Sequence, residues 1–255
     1  MISLRDVSRI FPGADRPAVS GLSFDVPRGS LTALLGASGS GKTTTLKLLN
    51  RLEPLHRGRI ELAGVDTANL DPVTLRRRCG YVVQGIGLFP HLSIAENIAL
   101  LPRLLGWSAA RRRARVAELL ELVQLPPAEY RDRYPDELSG GQQQRVGVAR
   151  ALAVEPEVLL LDEPFGALDP TTRGILQSEL RRVQAALELT VVMVTHDVTE
   201  ALLLADQIVV LEQGEGVFIG SPEALLASEV APVRALLEAP RQQVAALHDQ
   251  GVAAP

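Results

Sequence analysis

The stretch Gly36-Ala-Ser-Gly-Ser-Gly-Lys-Thr43 decides the fold of this 255-residue chain. It fits the pattern G-x-x-x-x-G-K-[ST], follows an apolar run that ends at Leu35 and opens a predicted helix. Between a strand and a helix, glycines let backbone N–H groups turn inward around a phosphate, and the helix start adds its positive dipole end. The alternative is a chance glycine-rich turn, expected in about one chain in a hundred of average composition. The stretch therefore predicts a phosphate-binding loop in an α/β fold.

Within this loop, Lys42 is expected to bridge the β- and γ-phosphates of a nucleotide, and the Thr43 hydroxyl to ligate Mg²⁺. The only lysines of the chain are Lys42 and Lys47, and every other basic residue counted with them is arginine, which adds weight to the lysine in the loop. The residues predicted to hold the nucleotide here are Gly36, Ala37, Ser38, Gly39, Ser40, Gly41, Lys42, Thr43 and Thr44.

Two acidic residues, Asp162 and Glu163, end the apolar run that starts at Val158. Desolvated carboxylates are costly, so a buried strand that ends in two acids needs a reason. Metal coordination is one such reason: Asp162 would hold Mg²⁺ through a water, and Glu163 would act as general base toward the attacking water. Taken alone, the pair is more often a solvated turn. Together with the phosphate loop it predicts a catalytic site.

His196 follows the next apolar run, Thr190 to Thr195. Open α/β sheets bind ligands at the carboxyl ends of their strands. The histidine is therefore predicted to reach the γ-phosphate, although a histidine at a strand end is commonly structural.

The pattern along the chain predicts one domain, residues 2–238, with a helical subdomain at about residues 88–150 and a poorly ordered tail at 239–255. Pro90, Pro102 and the Pro126-Pro127 pair are expected to separate the helices of the subdomain. The predicted strands are 2–7, 21–26, 30–35, 59–62, 80–83, 158–162, 190–195, 208–211 and 216–219, and the predicted helices with clear bounds are 44–52, 109–123 and 171–187. Leu46, Leu49 and Leu52 are predicted to share one face of the first helix.

The predicted helix 109–123 carries an apolar stripe opposite a cluster of arginines. The stripe consists of Val116, Leu119, Leu120 and Val123, and the arginines are Arg111, Arg112, Arg113 and Arg115. A solvated helix face is the favoured interpretation of the arginines, and a patch for anionic lipids is the alternative.

Composition excludes several classes of protein. The net charge of −4 disfavours a dedicated nucleic-acid binder, which usually has a basic domain. No apolar run reaches the roughly 18 residues of a membrane span, and the first residues lack the pattern of a secretory signal, so the chain is expected to stay in the cytoplasm. The single Cys79 cannot form an internal disulfide and is expected to be an unreactive thiol near a buried strand.

Downstream of the phosphate loop, Leu138-Ser-Gly-Gly-Gln142 is followed by Gln143-Gln-Arg145. With this stretch the chain, from about residue 2 to 238, resembles the ATP-binding cassette (ABC) ATPases, with every motif in order. The resemblance implies a P-loop NTPase fold with a mainly parallel core sheet, an N-terminal antiparallel β part and a helical subdomain. It also implies that two copies sandwich ATP, because the signature would contact the ATP held by the second copy. The signature residues concerned are Ser139, Gly140, Gly141 and Gln142.

The resemblance implies further roles for single residues. Phe11 would stack on adenine, Gln84 would touch Mg²⁺ and the attacking water, Asp169 would line the dimer interface, and His196 would be the switch histidine.

Two longer stretches, Gly80-Tyr-Val-Val-Gln84 and Ile86-Gly-Leu-Phe-Pro-His91, resemble the ATPases of bacterial importers for glycine betaine, choline, carnitine or proline. This resemblance is also carried by Asn50-Arg-Leu-Glu-Pro54, Glu96-Asn97, Pro102-Arg-Leu-Leu-Gly-Trp107 and Glu163-Pro-Phe-Gly-Ala-Leu-Asp169. Gly85 departs from it, because a second glutamine is expected there. The CBS pair that several of these subunits carry at the C-terminus is not found either, so osmotic sensing through such a module is not expected.

The resemblance implies a peripheral location on the cytoplasmic face of the membrane, with ATP and Mg²⁺ as cofactors. The implied partners are permease subunits docking near Leu88, Phe89 and Pro90, a second copy of the chain in a homodimer, and an extracytoplasmic substrate-binding protein, with no nucleic acid. The alternatives are an importer for another small solute, such as an amino acid or polyamine, and a soluble ABC ATPase acting on nucleic acid or ribosomes.

Overall fold

The computed structural model describes residues 1–85, 87–166 and 168–238, so the predicted tail lies outside the described residues. Ten strands are described in these ranges. They are β1 (Ile2–Arg9), β2 (Val19–Val26), β3 (Leu31–Leu35), β4 (Arg57–Leu62), β5 (Val65–Asp66), β6 (Cys79–Val82), β7 (Val158–Asp162), β8 (Thr190–Thr195), β9 (Gln207–Glu212) and β10 (Glu215–Gly220).

Helices accompany the strands over the described ranges. They are α1 (Lys42–Leu49), α2 (Pro72–Arg77), α3 (Ile94–Leu104), α4 (Ala109–Leu122), α5 (Pro127–Tyr130), α6 (Gly140–Ala151), α7 (Pro170–Leu187), α8 (Val198–Leu204) and α9 (Pro222–Leu226). Residues 231–238 are also helical. The helices α3 to α6 follow one another between β6 and β7.

The strands form two sheets. The larger has the order β10-β9-β3-β8-β7-β6, in which only β10 is antiparallel to its neighbour. The smaller has the order β2-β1-β4-β5 and is antiparallel throughout. These sheets confirm the predicted α/β class, with its mainly parallel core sheet and N-terminal antiparallel part.

The larger sheet is covered on both faces. Every residue of β3, β7 and β8 is buried, which is why their sequences are continuous apolar runs rather than alternating ones. One face packs against α1 and the smaller sheet, through Leu34, Leu46 and Leu160 among others. The other face packs against helices from α3 to α8, through residues such as Leu161 and Val191. Because β9, β3, β8, β7 and β6 are parallel, their carboxyl ends lie at one edge of the sheet.

Two local predictions were wrong. Leu52 does not share the buried face of α1: the helix ends at Leu49, Arg51 takes a left-handed φ of 53°, and Leu52 is 46% exposed. Pro102 does not separate helices but lies inside the last turn of α3. The chain turns instead at Gly106, whose φ of 74° favours glycine.

The arginines of α4 are not all on its solvated face. Val116, Leu119, Leu120 and Val123 are buried as predicted. Arg115, however, is only 11% exposed, because its guanidinium donates to the carbonyl of Leu152 at 2.8 Å and forms an ion pair with Glu118. Arg111 and Arg113 are the exposed members of the cluster.

Candidate nucleotide-binding site

The carboxyl ends of four neighbouring strands bring the predicted site residues together. In the sheet register, Leu35 pairs with Thr195, and Asp162 pairs with Val194. The phosphate loop leaves β3, Asp162 ends β7, His196 follows β8, and Gln84 follows β6 by two residues. The topology therefore places all these residues on one edge of the sheet, as open α/β sheets place ligand sites.

The phosphate loop is shaped around the Lys42 side chain. Lys42 is only 5% exposed, and its Nζ donates hydrogen bonds to the carbonyls of Gly36 at 2.7 Å and Ala37 at 2.8 Å. Burial lowers the pKa of Lys42, and the carboxylates of Glu163 and Asp162 oppose that shift. An ammonium group that binds backbone carbonyls at the start of a helix can release them and bind the oxygens of a phosphate instead.

Gly41 is required by close packing at the end of the loop. Its φ is 101°, and a Cβ built there would lie 2.3 Å from the carbonyl oxygen of Ala18. Gly36 is similarly crowded, because its Cβ would lie 2.2 Å from the carbonyl oxygen of Leu211. The backbone of the loop thus approaches two other segments more closely than any side chain allows.

Asp162 is held by two hydroxyl groups. Thr43 Oγ1 donates to Asp162 Oδ1 at 2.9 Å, and the Tyr81 hydroxyl donates to Asp162 Oδ2 at 3.3 Å. Burial and the neighbouring carboxylate raise the pKa of Tyr81, so its hydroxyl stays a donor. Sequence reasoning missed Tyr81. The sequence signal for this role was the position of Tyr81 in β6. There it pairs with Leu160 of β7, the strand that ends at Asp162.

The oxygen atoms around Asp162 fit a Mg²⁺ ion. The described residues hold no group of three or more His, Cys, Asp and Glu side chains suited to a metal. A site with one carboxylate and one hydroxyl nevertheless suits Mg²⁺, which keeps waters and takes substrate phosphates as its other ligands. Thr43 and Asp162 are the residues that would hold the ion.

Glu163 lies between Gln84 and His196. Gln84 Nε2 donates to Glu163 Oε2 at 3.3 Å, and Nδ1 of His196 lies 3.3 Å from Glu163 Oε1. Glu163 takes a left-handed φ of 47°, while its N–H donates to the carbonyl of Val194. This turn aims the carboxylate along the sheet edge. Its side chain is 23% exposed, so a water molecule can reach it.

A second helix start carries the signature stretch. Ser139 caps α6: its hydroxyl accepts from the N–H of Gln142, and Gln142 Oε1 accepts from the N–H of Ser139. Gly141 packs so closely on α7 that a Cβ would lie 2.4 Å from Thr172 Cγ2. Ser139 and Gly140 remain exposed.

Comparison with known proteins decides the family. The family model of ABC transporters matches residues 19–166.

This chain belongs to the ABC transporter ATP-binding family.

Two curated relatives of the cassette are close in sequence. The chain is 52% identical over 226 residues to the glycine betaine/carnitine/choline transport ATP-binding protein OpuCA of Bacillus subtilis, covering 89% of this chain and 59% of the relative. It is 53% identical over 226 residues to the glycine betaine uptake system ATP-binding protein YehX of Escherichia coli, covering 89% of this chain and 72% of the relative. The cassette therefore spans less than two thirds of the length of OpuCA.

A solved structure supports the fold of the cassette. The dimeric ATP-binding cassette MJ0796, in a post-hydrolysis state bound to ADP and Pi, matches with a TM-score of 0.76 and 31% sequence identity. The match covers 87% of this chain and 99% of that one.

Asp169 lies at the start of α7, the helix that packs against the signature stretch of the cassette. It caps α7, and its carboxylate accepts from the N–H of Thr172 at 3.1 Å. Hydrogen bonds from Thr172 lower the pKa of Asp169, so the residue is an anion at the exposed start of this helix. Its predicted role in a dimer interface stays a prediction.

Phe11 of the cassette is half-buried, and the Arg9 guanidinium lies 4.6 Å from its ring centroid. Arg9 in turn is held by Glu53 at 2.9 Å. The ring is thus supported by a cation, but its predicted stacking on adenine stays a prediction. Within the described part of the cassette, no helix has both the length and the hydropathy needed to cross a bilayer.

Proposed function

We propose that this chain is the ATP-hydrolysing subunit of an importer for a quaternary-amine osmoprotectant such as glycine betaine, choline or carnitine. Two copies would close around two ATP molecules. The observation that carries the proposal is the convergence of Gln84, Glu163 and His196 beside the Lys42 and Asp162 side chains.

Each side chain has a task in this proposal. The Lys42 ammonium exchanges the carbonyls of Gly36 and Ala37 for β- and γ-phosphate oxygens. Bound Mg²⁺ would neutralise charge on these oxygens, held by Thr43 and Asp162.

Glu163 takes a proton from the attacking water, which Gln84 orients. The water oxygen bonds to the γ-phosphorus as the bond to the β–γ bridging oxygen breaks, and ADP and phosphate leave. His196 holds the Glu163 carboxylate and reaches toward the γ-phosphate. The signature residues Ser139 to Gln142 of the second copy complete the site on its other side.

The permease would dock near Leu88, Phe89 and Pro90. The Asn97 side chain, fully buried, accepts from the N–H of Phe89 at 2.9 Å and donates to the carbonyls of Phe89 and Leu92. This clamp holds the loop while Phe89 stays 42% exposed. A rigid loop that presents an aromatic side chain suits a protein interface.

The docking proposal has a direct test. Replacing Phe89 with Ala is expected to weaken co-purification of the cassette with the permease and to leave ATP affinity unchanged. Val65, which is 41% exposed on the smaller sheet, supplies the matched control as Val65→Ala. Unchanged co-purification of the Phe89 variant would remove this site from consideration.

The substrate is proposed from the relatives, since OpuCA and YehX are named for glycine betaine transport. The test is uptake of radiolabelled glycine betaine, choline, carnitine and proline by the reconstituted transporter, with the Glu163→Gln variant as the inactive control. ATP-dependent uptake of any quaternary amine supports the proposal. ATP hydrolysis with uptake of only an amino acid or polyamine would support the alternative solute class.

A further inference from the structure

A buried ion pair joins the signature helix α6 to the helix α7. Arg145 Nη2 lies 2.9 Å from Glu179 Oε1, and the two side chains are only 18% and 10% exposed. Burying two charges is costly, and well-packed apolar side chains would often serve stability as well or better. The pair therefore invites an explanation other than stability.

The two joined helices begin with the two motifs predicted to face a second subunit. Ser139 caps α6, and Asp169 caps α7. The helices touch first at Gly141, which packs against Thr172 without room for a Cβ. They touch again further along, at the ion pair. Two contacts along a pair of helices set the angle between them, and the second of these is the charged one.

Arg145 also reaches a third helix. Its Nη1 donates long hydrogen bonds to the carbonyls of Val123 and Gln124, at 3.5 Å each, where α4 ends. Arg182, three residues after Glu179 on α7, donates to the carbonyl of Leu122 at the same helix end. The carboxyl end of a helix carries partial negative charge, which attracts both guanidinium groups. Glu179 thus lies between two arginines that connect the helical subdomain to α7.

The Arg145–Glu179 contact is held by charge rather than by hydrogen-bond direction. Neither carboxylate oxygen of Glu179 accepts a hydrogen bond from a described residue. A cavity of about 30 Å³ adjoins the pair, lined by Phe165, Leu176 and Leu180 among others. Burial raises the pKa of Glu179, whereas Arg145 and Arg182 act in the opposite direction. The attraction between the two buried charges therefore holds α6 and α7 together at this point.

We infer that Arg145 and Glu179 are positioning residues that set the angle at which the signature helix meets the nucleotide of the second subunit. They touch neither the phosphate loop nor the Glu163 carboxylate in this structure. They therefore act on closure of the dimer and not on ATP binding by one chain. This inference rests on the proposed function, because it requires a dimer that closes around ATP.

The test measures ATP-driven dimerisation in the full chain carrying Glu163→Gln, which is expected to slow hydrolysis. Adding Glu179→Gln, or Arg145→Lys, is expected to raise the ATP concentration needed for half-maximal dimerisation by about tenfold, a usual size of coupling between contacting residues. The affinity of the monomer for a fluorescent ATP analogue is expected to stay within about twofold. A surface pair in the same subdomain, Arg133 and Glu129 at 2.9 Å, supplies the control as Glu129→Gln.

A double variant, Arg145→Met with Glu179→Met, separates positioning from folding. Removing both charges avoids an unpaired buried ion, so the melting temperature is expected to recover toward that of the parent. Dimerisation is expected to stay impaired, because apolar side chains do not restore the contact with the α4 carbonyls. Recovery of both properties, or normal dimerisation of the stably folded single variants, would overturn the inference. If the Glu163→Gln parent itself fails to dimerise with ATP, the proposed function fails first.

Discussion

Glu163 Oε1 lies 3.3 Å from Nδ1 of His196, although the two residues follow different strands of the larger sheet. The parallel pairing of β7 with β8 places the ends of these strands side by side. The contact couples the position of the His196 ring to that of the Glu163 carboxylate, which is proposed to accept a proton. It also ties the proposed base to the strand that lies between β7 and the phosphate-loop strand β3.

The Glu163→Gln variant should bind ATP and hydrolyse it slowly. The amide keeps the size and the contact with Gln84 but cannot accept the proton, so turnover is expected to fall by about 10²–10⁴-fold. Steady-state ATPase assays and size-exclusion chromatography with ATP measure the rate and the accumulated dimer. Turnover at the parental rate would show that another group accepts the proton.

The Tyr81→Phe variant should need a higher Mg²⁺ concentration to bind ATP. The hydroxyl donates to Asp162 Oδ2, so its loss frees one carboxylate oxygen from a fixed orientation. Hydrogen bonds to charged groups are worth about 1.5–3 kcal/mol, so we expect the Mg²⁺ concentration for half-maximal nucleotide binding to rise by about tenfold or more. Titration of nucleotide binding with Mg²⁺ measures this, and binding without the metal is the control. An identical titration would show that Thr43 alone orients Asp162.

The Gly41→Ala variant should lose ATP binding. Its φ of 101° and the approach of its Cβ position to 2.3 Å from the Ala18 carbonyl oxygen force the loop to shift. Isothermal titration with ATP measures the loss.

Gly174→Ala is the matched control for that substitution. Gly174 lies exposed inside α7, and a Cβ there meets nothing within 4 Å. Alanine is a better helix former than glycine by about 1 kcal/mol, so this variant should raise the free energy of unfolding with ATP binding unchanged. Loss of ATP binding in both variants would show that the effect comes from a general disturbance of the fold and not from the phosphate loop.

The Glu157–Arg78 pair should make stability depend on pH. A hydrogen bond from Arg78 lowers the pKa of Glu157 below its usual 4.5. A carboxylate with a depressed folded-state pKa stabilises the protein above the unfolded value, and this contribution is lost as pH falls through the folded value. The free energy of unfolding should therefore differ between wild type and Glu157→Gln at neutral pH, by less than about 1 kcal/mol for so exposed a pair.

That difference should begin to fall near the unfolded pKa of 4.5 and disappear once the pH is below the lowered folded-state pKa of Glu157. Urea unfolding at neutral and acidic pH measures it. Arg78→Gln should show the same pH dependence of its deficit, because it removes the same interaction. A deficit that persists at low pH would assign the effect to packing.

Much of the structure of this protein could be predicted from short stretches of its sequence. The phosphate loop, the apolar runs of β7 and β8 and the stripe of α4 are patterns of neighbouring residues, and the structure has each of them. Leu52 shows the limit of such patterns. It continues the helical spacing of leucines in the sequence, but the helix has already ended, because Arg51 turns the chain with a positive φ. Pro102 shows the reverse, since α3 accommodates a residue that usually ends helices.

By itself, the sequence determined the class of fold and the identities of the groups that would bind phosphate and metal, because both depend on short-range patterns. Only the tertiary structure decided that Tyr81 holds Asp162, that Glu163 lies between Gln84 and His196, and that Arg145 reaches Glu179. These contacts join residues far apart in the chain. Their formation depends on strand order, register and helix packing, which no short stretch of sequence contains.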